Sequence, residues 1–264
     1  MLVLVPMTAT LLAAVALVAS SHGQLVLLDG GGRVVRSLGP GESPAWSADG
    51  TRIAFVRRGD VFVVGADGRG LARVTRTAAV EESPDWSPDG ALVYASNRGG
   101  RFALYVQRPG GPARQLTRPA RSWQEDRSPA WSPDGRFVAF ASNRPSAFDQ
   151  ELYLVRRDGG GLRRLTFTKG SDAVLADDGM PAWRPDGSGL VFVSNRDRNL
   201  ELYALDLATL RTARLTRTGR DETLPRVGPG GRLAFVAASR IFVGARAIGP
   251  GSGVDWRPAK FRKR

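Results

Sequence analysis

Residues 128–144 read SPAWSPDGRFVAFASNR, and residues 83–98 repeat nearly the same text as SPDWSPDGALVYASNR. The tryptophans of this motif are spaced by 40, 45 and 52 residues, at Trp46, Trp86, Trp131 and Trp183. A fifth copy, LPRVGPGGRLAFVA, begins at Leu224 with Val227 in the tryptophan position, and GVDWRP at 253–258 matches only the front of a sixth. A period of this size is typical of a repeat architecture such as a propeller.

Each copy predicts short strands separated by turns. After the tryptophan comes a β-branched and aromatic run bounded by Gly, Pro, Asn and Asp, at 53–56, 92–95, 137–141, 190–193 and 233–236. Further runs follow at 60–64, 103–107, 151–155, 201–205 and 240–244, and then at 72–75, 114–117, 163–166 and 213–216. The fifth copy predicts no last strand between Ala245 and Gly253. Four short antiparallel strands in a unit of this length predict an all-β propeller blade.

The recurring Ser-Pro-Asp-Gly segment predicts a tight turn. Proline pre-sets φ for the turn, aspartate caps it with its side chain, and glycine accepts positive φ. We therefore assign a turn role, and no catalytic role, to the repeated aspartates Asp49, Asp89, Asp134 and Asp186. The tryptophans are expected to pack in the core between neighbouring blades.

The two ends of the repeat region predict how the ring closes. QLVLLDGGGRVVRSL at 24–38 matches the back half of a repeat, and GVDWRP supplies only a front half. Sharing one composite blade between the termini would give six blades and remove an exposed sheet edge. The alternative is five blades, because this composite blade has no good second strand in the sequence. The predicted propeller domain covers residues 24–259.

The repeat, written PxWSPDGxxxaFxSNR followed by xLYxxxxxGxxxRLT, resembles the TolB-type, WD40-like propeller repeat over residues 24–258. The resemblance implies an extracytoplasmic propeller that binds other molecules and catalyses no reaction. TolB-type proteins work in the periplasm with an envelope lipoprotein, so it also implies an envelope protein or peptide as partner and a monomeric propeller.

The first 20 residues, MLVLVPMTATLLAAVALVAS, are apolar and uncharged. They predict a signal peptide over residues 1–23, with small residues near its end and removal on export. The alternative is an uncleaved N-terminal anchor, which would be the one route to a membrane. Localisation is predicted to be periplasmic, cell-envelope or secreted. The basic tail at 260–264 is expected to be a solvated chain end.

Composition excludes several kinds of chemistry. The chain has no cysteine, and its one histidine, His22, lies at the predicted cleavage zone. Ser-His-Asp triads, Cys-His pairs and imidazole metal sites are therefore not expected. The net charge of +13 comes mainly from arginines spread through every repeat, a distribution that does not favour nucleic-acid binding. We predict no enzyme activity and no cofactor; the alternative is a lyase or glycosidase acting on an acidic polysaccharide.

One set of acids invites a binding hypothesis. A carboxylate stands two or three residues before the proline of each copy, at Glu42, Glu82, Asp126, Asp178 and Glu222. We expect them to converge at one mouth of the central channel and to receive a cation or a basic peptide segment, with Ca²⁺ favoured if few arginines neutralise them. The alternative is that they pair with Arg98, Arg144 and Arg196. Trp123, in an insertion without counterpart in other copies, is a candidate exposed anchor for a partner.

Overall fold

The computed structural model describes residues 15–168 and 177–258. Within them the chain forms six four-stranded sheets, and every pairing between neighbouring strands is antiparallel. The innermost strands of successive blades contact one another around the whole ring, which encloses a central channel. The predicted all-β propeller is confirmed with six blades, so the five-bladed alternative is excluded.

The strands are named in chain order. The N-terminal strands are β1 (Val15–Ser21), β2 (Gln24–Asp29) and β3 (Val34–Pro40). Blade 1 contains β4 (Glu42–Trp46), β5 (Arg52–Arg57), β6 (Asp60–Gly65) and β7 (Ala72–Arg73). Blade 2 contains β8 (Glu81–Trp86), β9 (Leu92–Ser96), β10 (Ala103–Gln107) and β11 (Arg114–Gln115). Blade 3 contains β12 (Asp126–Trp131), β13 (Phe137–Ser146), β14 (Asp149–Arg156) and β15 (Arg163–Arg164).

The remaining blades follow the same order from the channel outward. Blade 4 contains β16 (Asp178–Trp183), β17 (Gly189–Ser194), β18 (Glu201–Asp206) and β19 (Thr212–Arg214). Blade 5 contains β20 (Glu222–Val227), a 3₁₀ turn (Pro229–Gly231), β21 (Leu233–Ala237), β22 (Arg240–Val243) and β23 (Arg246–Pro250). The last strand is β24 (Gly253–Trp256). β23 corrects the expectation that the fifth copy lacks an outer strand.

The closing blade joins both ends of the chain in the order β24-β1-β2-β3. β1 pairs with β24 in a register that sets Leu17 opposite Trp256 and Ala19 opposite Val254. The predicted composite closure is confirmed. Its second strand is β1, which lies within the range 1–23 that the sequence predicts as a signal peptide. Leu17, Val18 and Ala19 are completely buried. This apolar segment resembles a signal peptide in sequence, but here it forms part of the core.

This placement corrects the predicted domain boundary. The propeller includes Val15–Ser21 as well as the chain from residue 24 onward, because the second strand of its closing blade lies within the range 1–23. Cleavage after residue 23 would remove that strand from between β24 and β2. The signal peptide stays a prediction, and its first 14 residues lie outside the described residues, as do residue 259 and the tail at 260–264.

The turns and the core follow the predicted chemistry. In the third copy the Asp134 carboxylate accepts bonds from the Ser132 hydroxyl at 2.6 Å and the Arg136 N–H at 3.0 Å, and Gly135 has φ of 69°. Trp46, Trp86, Trp131 and Trp256 are at least nine-tenths buried. Apolar clusters bridge neighbouring blades, as where Val93 and Phe102 of blade 2 pack with Trp131 of blade 3.

Candidate functional site

The channel has two different mouths. The innermost strands begin at the upper mouth, where a cavity of about 810 Å³ is lined by Glu42, Arg58, Glu82, Arg127 and Asp177, among others. They end at the lower mouth, where a cavity of about 320 Å³ is lined by tryptophans and prolines of several blades together with Asp85, Arg226 and Asp255. The two mouths therefore present different chemistry to the solvent.

The five predicted acids do not form one ring. Glu42 is exposed and Glu82 half-buried, and both line the upper mouth. Asp126 and Asp178 are fully buried, and Glu222 is 2% exposed. The strand register explains the division. Asp126, Asp178 and Glu222 stand three residues before the proline of their strand, as Glu81 does, whereas Glu82 and Glu42 stand two residues before it.

The buried acids at the strand start bind the arginines that end the SNR motif. Arg144 donates to Asp126 at 2.6 Å, and Arg196 donates to both oxygens of Asp178 at 2.8 Å. Arg98 contacts Glu81 in the same way at 3.2 Å. The alternative reading of these acids, as partners of arginines, is the arrangement found in three blades. It corrects the expectation that Asp126 and Asp178 face the channel.

Glu222 is the exception among the buried acids. Blade 5 has Ala237, Ala238 and Ser239 in place of the SNR motif, so no arginine follows its second strand at that point. Thr218 donates to Glu222 at 3.2 Å, and among the described residues the other carboxylate oxygen has no hydrogen-bond partner. Burial therefore raises the pKa of Glu222, and the neighbouring Glu201 carboxylate raises it further.

A second repeated network was not foreseen. In the RLT motif of blade 4, Arg214 donates through Nε to the Thr216 carbonyl at 2.7 Å and through Nη2 to Glu201 at 3.2 Å. We call this arrangement the clasp: an arginine of the short outermost strand binds an acid of the third strand and so fixes the two strands together. The clasp recurs between Arg164 and Glu151 and between Arg73 and Asp60. The signal was present in the sequence as an acid opening the ELY run and an Arg-x-Thr closing the copy. These two networks account for the arginines of the SNR motif in blades 2, 3 and 4 and of the RLT motif in blades 1, 3 and 4.

The upper mouth is also where the backbone is unusual. In five blades the innermost strand shifts register just before its proline, and the residue there has φ near 50° although it is not glycine: Ser43, Ser83, Ser128, Met180 and Leu224. Left-handed non-glycine residues are uncommon and cost free energy. The wall of the upper mouth is thus built from one repeated bulge, which follows the acid positions in each strand.

The charges of the upper mouth lean towards acid. Arg127 donates to Glu82 at 2.7 Å and to Glu125 at 2.9 Å, so two carboxylates neutralise one guanidinium. Within residues 15–168 and 177–258, Glu42 has neither a hydrogen-bond nor an ion-pair partner. Burial raises the pKa of Asp177, which accepts a bond from the Gln150 N–H at 3.0 Å. An acid-leaning mouth stands out in a chain of net charge +13.

The lower mouth holds a cluster that sequence reasoning missed. Asp85 accepts a bond from the Trp131 N–H of the next blade at 2.7 Å, and Asp255 accepts one from the Trp46 N–H at 2.7 Å. Arg226 Nε lies 3.5 Å from Asp255 Oδ1. The preceding residue is alanine at Trp46, Trp131 and Trp183, and Arg226 in the fifth copy, so no repeat signal marked these positions. The two aspartates connect blade 2 to blade 3 and the closing blade to blade 1.

Two carboxylates share one arginine in this low-dielectric part of the channel. Only 16% of the Asp255 side chain is exposed, and burial raises its pKa to about 7 against the opposing effect of Arg226. Burial raises the pKa of Asp85 as well, again opposed by Arg226. One guanidinium cannot fully compensate two buried carboxylates, so the charged state of the pair is disfavoured.

Trp123 is placed differently from the expectation of an exposed anchor. Its side chain is half-buried, its carbonyl accepts a bond from Asn143 Nδ2 at 2.9 Å, and the Arg121 guanidinium lies 6.0 Å from its ring. The insertion is therefore fastened to the third blade, and part of the ring remains accessible.

Metal-binding clusters and membrane-spanning helices are two further features that would bear on function. No group of three or more Asp, Glu, His or Cys side chains within the described part of the chain is arranged to hold a metal ion. Among the same residues there is no helix with the length and apolar character needed to cross a bilayer.

Comparison with known proteins supports the fold class first. No family model matches the chain. TolB from Acinetobacter baumannii superposes with a TM-score of 0.74 at 21% identity, covering 93% of this chain and 66% of that one. An oligogalacturonate lyase solved with manganese superposes with a TM-score of 0.58 at 17% identity, over 83% of this chain and 67% of that one. The molecule is a six-bladed β-propeller.

The repeat then gives the type of propeller. A TolB homologue from Chlorobium luteolum is 41% identical over 64 residues, which are 24% of this chain and 13% of that protein. The resemblance predicted from the PxWSPDG repeat is confirmed, and the propeller is similar to that of TolB-type proteins. The match spans a small part of the curated relative's length.

Proposed function

We propose that this propeller is a non-catalytic binding protein of the cell envelope, and that its upper mouth receives a basic or N-terminal segment of a partner protein. The observation that carries the proposal is the reversed charge of the mouth. Glu42, Glu82 and Asp177 outnumber Arg58 and Arg127 there, while the chain as a whole carries +13. Complementary charge at a concave site favours a cationic ligand and selects against an acidic one.

The size of the mouth supports an extended segment as ligand. A cavity of about 810 Å³ lies in the range of protein ligand sites. Its lining includes Val56, Val80 and Met180, whose apolar side chains can pack against the aliphatic part of a lysine or arginine. The rim supplies the carboxylates.

An extracytoplasmic location is part of the proposal. Support comes from the TolB-like repeat and from the apolar N-terminus, which is suited to engage an export machinery while the chain is still unfolded. Once the ring folds, residues 15–21 belong to the closing blade.

The test is capture from the envelope fraction of the producing cell, followed by calorimetry with the captured partner. The double variant Glu42→Gln and Glu82→Gln should weaken binding at least tenfold, because both mouth carboxylates lose their charge. Asp67→Asn is the matched control, since Asp67 is an exposed acid in a turn at the opposite face. Equal affinity of the double variant and the wild type would contradict the proposal.

The lower mouth favours a second candidate function, the cleavage of an acidic polysaccharide. Asp255, with a pKa of about 7, could exchange a proton near neutral pH, and Arg226 could hold a substrate carboxylate. The fold likeness to an oligogalacturonate lyase supports this second candidate. Product release from polygalacturonate that is lost in Asp255→Asn would establish it, and absence of turnover on a panel of acidic glycans would remove it.

A further inference from the structure

Blade 4 holds one of its own arginines in a defined setting at the upper face. The Arg196 guanidinium donates to both oxygens of Asp178 at 2.8 Å and to the Thr168 hydroxyl at 3.0 Å. It also lies 5.5 Å from the ring centre of Phe192 and 4.6 Å from that of Tyr203. An acid, a threonine and an aromatic pair therefore surround one arginine side chain.

Blade 2 repeats this setting. Arg98 donates to Glu81 at 3.2 Å, and its guanidinium lies 5.4 Å from the ring centre of Tyr94 and 4.4 Å from that of Tyr105. Thr77 donates to the same carboxylate at 2.8 Å. A planar guanidinium can pair with a carboxylate and stack on an aromatic ring at the same time. The ring thus uses one set of side chains twice to bind an arginine.

Blade 5 has the same set of side chains around Glu222. Thr218 donates to this carboxylate at 3.2 Å. Phe235 lies opposite Phe242 in the strand register, as the aromatic pair of blade 4 does, and the two rings stack with their centres 5.3 Å apart. We call these four residues, Thr218, Glu222, Phe235 and Phe242, the Glu222 site.

The sequence of blade 5 supplies no arginine to this site. Only Ala238 and Ser239 join its second and third strands, whereas blade 4 uses residues 195–200, which include the SNR arginine. Arg240 follows the short turn and is exposed. Within residues 15–168 and 177–258, no guanidinium forms an ion pair with Glu222 or lies over either phenylalanine ring.

Glu222 itself indicates that a ligand is needed. Its side chain is almost completely buried, and among the described residues its Oε2 atom has no hydrogen-bond partner. A buried carboxyl oxygen without a partner is costly whether the group is charged or protonated. A donor that reaches this oxygen would remove the cost, and in blades 2 and 4 the donor is a guanidinium.

We propose that the Glu222 site binds an arginine side chain of a partner protein, which pairs with the Glu222 carboxylate and stacks on the phenylalanine pair. The site borders the upper mouth, since the Glu222 N–H donates to the carbonyl of Leu200 at 2.8 Å and Leu200 lines that cavity. That the arginine belongs to the basic segment received there rests on the proposed function.

The inference adds a preference for arginine over lysine to the proposed function. A lysine ammonium is compact and strongly hydrated, and it lacks the planar fork that pairs with a carboxylate through two donors. The small, exposed Ala238 and Ser239 leave an approach to the site from the upper face.

Two blocked tripeptides test the preference without a known partner: acetyl-Gly-Arg-Gly-amide and acetyl-Gly-Lys-Gly-amide. Each is titrated into the isotope-labelled full chain and followed by NMR. The arginine peptide should bind at least about fivefold more tightly than the lysine peptide. It should shift the amide signals of Thr218, Ala238 and Ser239 more than those of the other blades.

Two variants remove the two halves of the site separately. Glu222→Gln should lower the affinity for the arginine peptide to that for the lysine peptide. Phe242→Leu keeps an apolar side chain but removes one stacking ring, and it should lower arginine affinity about threefold with lysine affinity unchanged. Melting temperatures show whether each variant is folded. Glu82→Gln is the matched control, because it removes an upper-mouth carboxylate outside the site and should keep the preference for arginine.

The outcomes separate this inference from the proposed function. Equal affinities of the two peptides for the wild type, signal shifts confined to other blades, or a preference that survives both Glu222→Gln and Phe242→Leu would each overturn the Glu222 site. A clear preference for arginine that both variants lose supports the site even when Glu42→Gln with Glu82→Gln leaves partner binding unaltered, a result that contradicts the proposed function alone.

Discussion

Blade 4 and the closing blade fasten their outermost strands in different ways. In blade 4 the outer strand β19 has three residues, and the Arg214–Glu201 clasp holds it by side chains. In the closing blade β3 has seven residues and lies against β2 through a backbone ladder interrupted by two bulges. No RLT motif occurs in β3 or in β23. Repeats that keep the motif can shorten the outer strand, whereas blades without it need the longer ladder.

The two kinds of blade also differ in where charge is buried. Blades 2, 3 and 4 bury carboxylates with arginine partners. Blade 5 and the closing blade bury Glu222 without an arginine and Asp255 with a distant one. A buried charge without a close partner is unfavourable. Carboxyl groups with a raised pKa occur in both parts of the ring, with Asp255 and Glu222 in the irregular part and Asp85 and Glu151 in the regular part.

The largest effect is expected where the irregular part closes the ring. Removal of residues 253–264 takes away β24, and removal of residues 1–21 takes away β1, so either truncation exposes the core that contains Leu17, Ala19 and Val254. Both should abolish cooperative thermal unfolding followed by circular dichroism. Removal of residues 1–14 alone should leave the melting transition in place. A normal melt for the 253–264 truncation would mean that composite closure does not hold the ring.

A smaller loss is expected from breaking one clasp. Glu201→Gln removes a fully buried carboxylate that binds Arg214 and the Thr218 N–H. It should lower the free energy of unfolding by about 2–3 kcal/mol at neutral pH, because Arg214 loses the buried one of its two carboxylate partners and keeps only Asp197. Hydrogen bonds hold the pKa of Glu201 below its usual value despite the opposing effect of burial. Its stabilising effect is therefore present above the unfolded pKa and is lost as pH falls through the folded pKa.

Denaturant titrations of Glu201→Gln across pH check both statements. The destabilisation should shrink towards zero in acid, where the wild-type carboxylate is protonated. A loss that is independent of pH would show that the clasp acts through shape and not through charge.

The stabilising effect of Asp255, which connects the closing blade to blade 1, should depend on pH in the opposite direction. The pKa of Asp255 is raised from 3.8 to about 7, so the folded state binds its proton more tightly than the unfolded state does. Its stabilising contribution is complete below pH 4 and declines as pH rises to about 7, by at most about 1.4 kcal/mol per pH unit. Asp255→Asn should flatten this part of the stability profile. An unchanged slope between pH 4 and pH 7 would assign the proton to another group, and Asp85 is the first to examine.

A turn variant makes a regular blade resemble blade 5, whose GPGG turn lacks the aspartate. Asp134→Ala removes the bonds from Ser132 and Arg136 and should cost about 1 kcal/mol of unfolding free energy. Partner binding at the upper mouth should be unaltered, since the turn lies at the other face. Unchanged stability with lost binding would show that Asp134 belongs to a site.

The fold was predictable where the repeat is explicit, and the site was less so. The PxWSPDG repeat predicted the blades, the turns and the shared closing blade, because each of its positions has a local physical role. β1 was missed because a buried strand such as VALVASS and a signal peptide are both rich in apolar and small residues. The five acids occupy two successive strand positions, three and two residues before the proline, and strand alternation gives these positions opposite surroundings, as with Glu81 and Glu82. Asp85 and Asp255 interrupt the repeat, so only the assembled channel shows them together.

The smallest effect is expected at Glu222, a buried acid without an arginine partner, and a matched substitution compares it with Glu201, a buried acid that has one. Glu222→Gln has the same chemistry as Glu201→Gln, and both side chains are almost completely buried. Because the folded pKa of Glu222 is raised, its charged form opposes folding, and stability is lost as pH rises from the unfolded pKa through the folded one. Glu222→Gln should therefore change the free energy of unfolding by less than about 1 kcal/mol at neutral pH, with a trend that improves relative to the wild type as pH rises. Glu201→Gln should worsen over the same range. Parallel pH trends for the two variants would contradict the distinction, since they would show that an arginine partner does not decide whether a buried acid stabilises this ring.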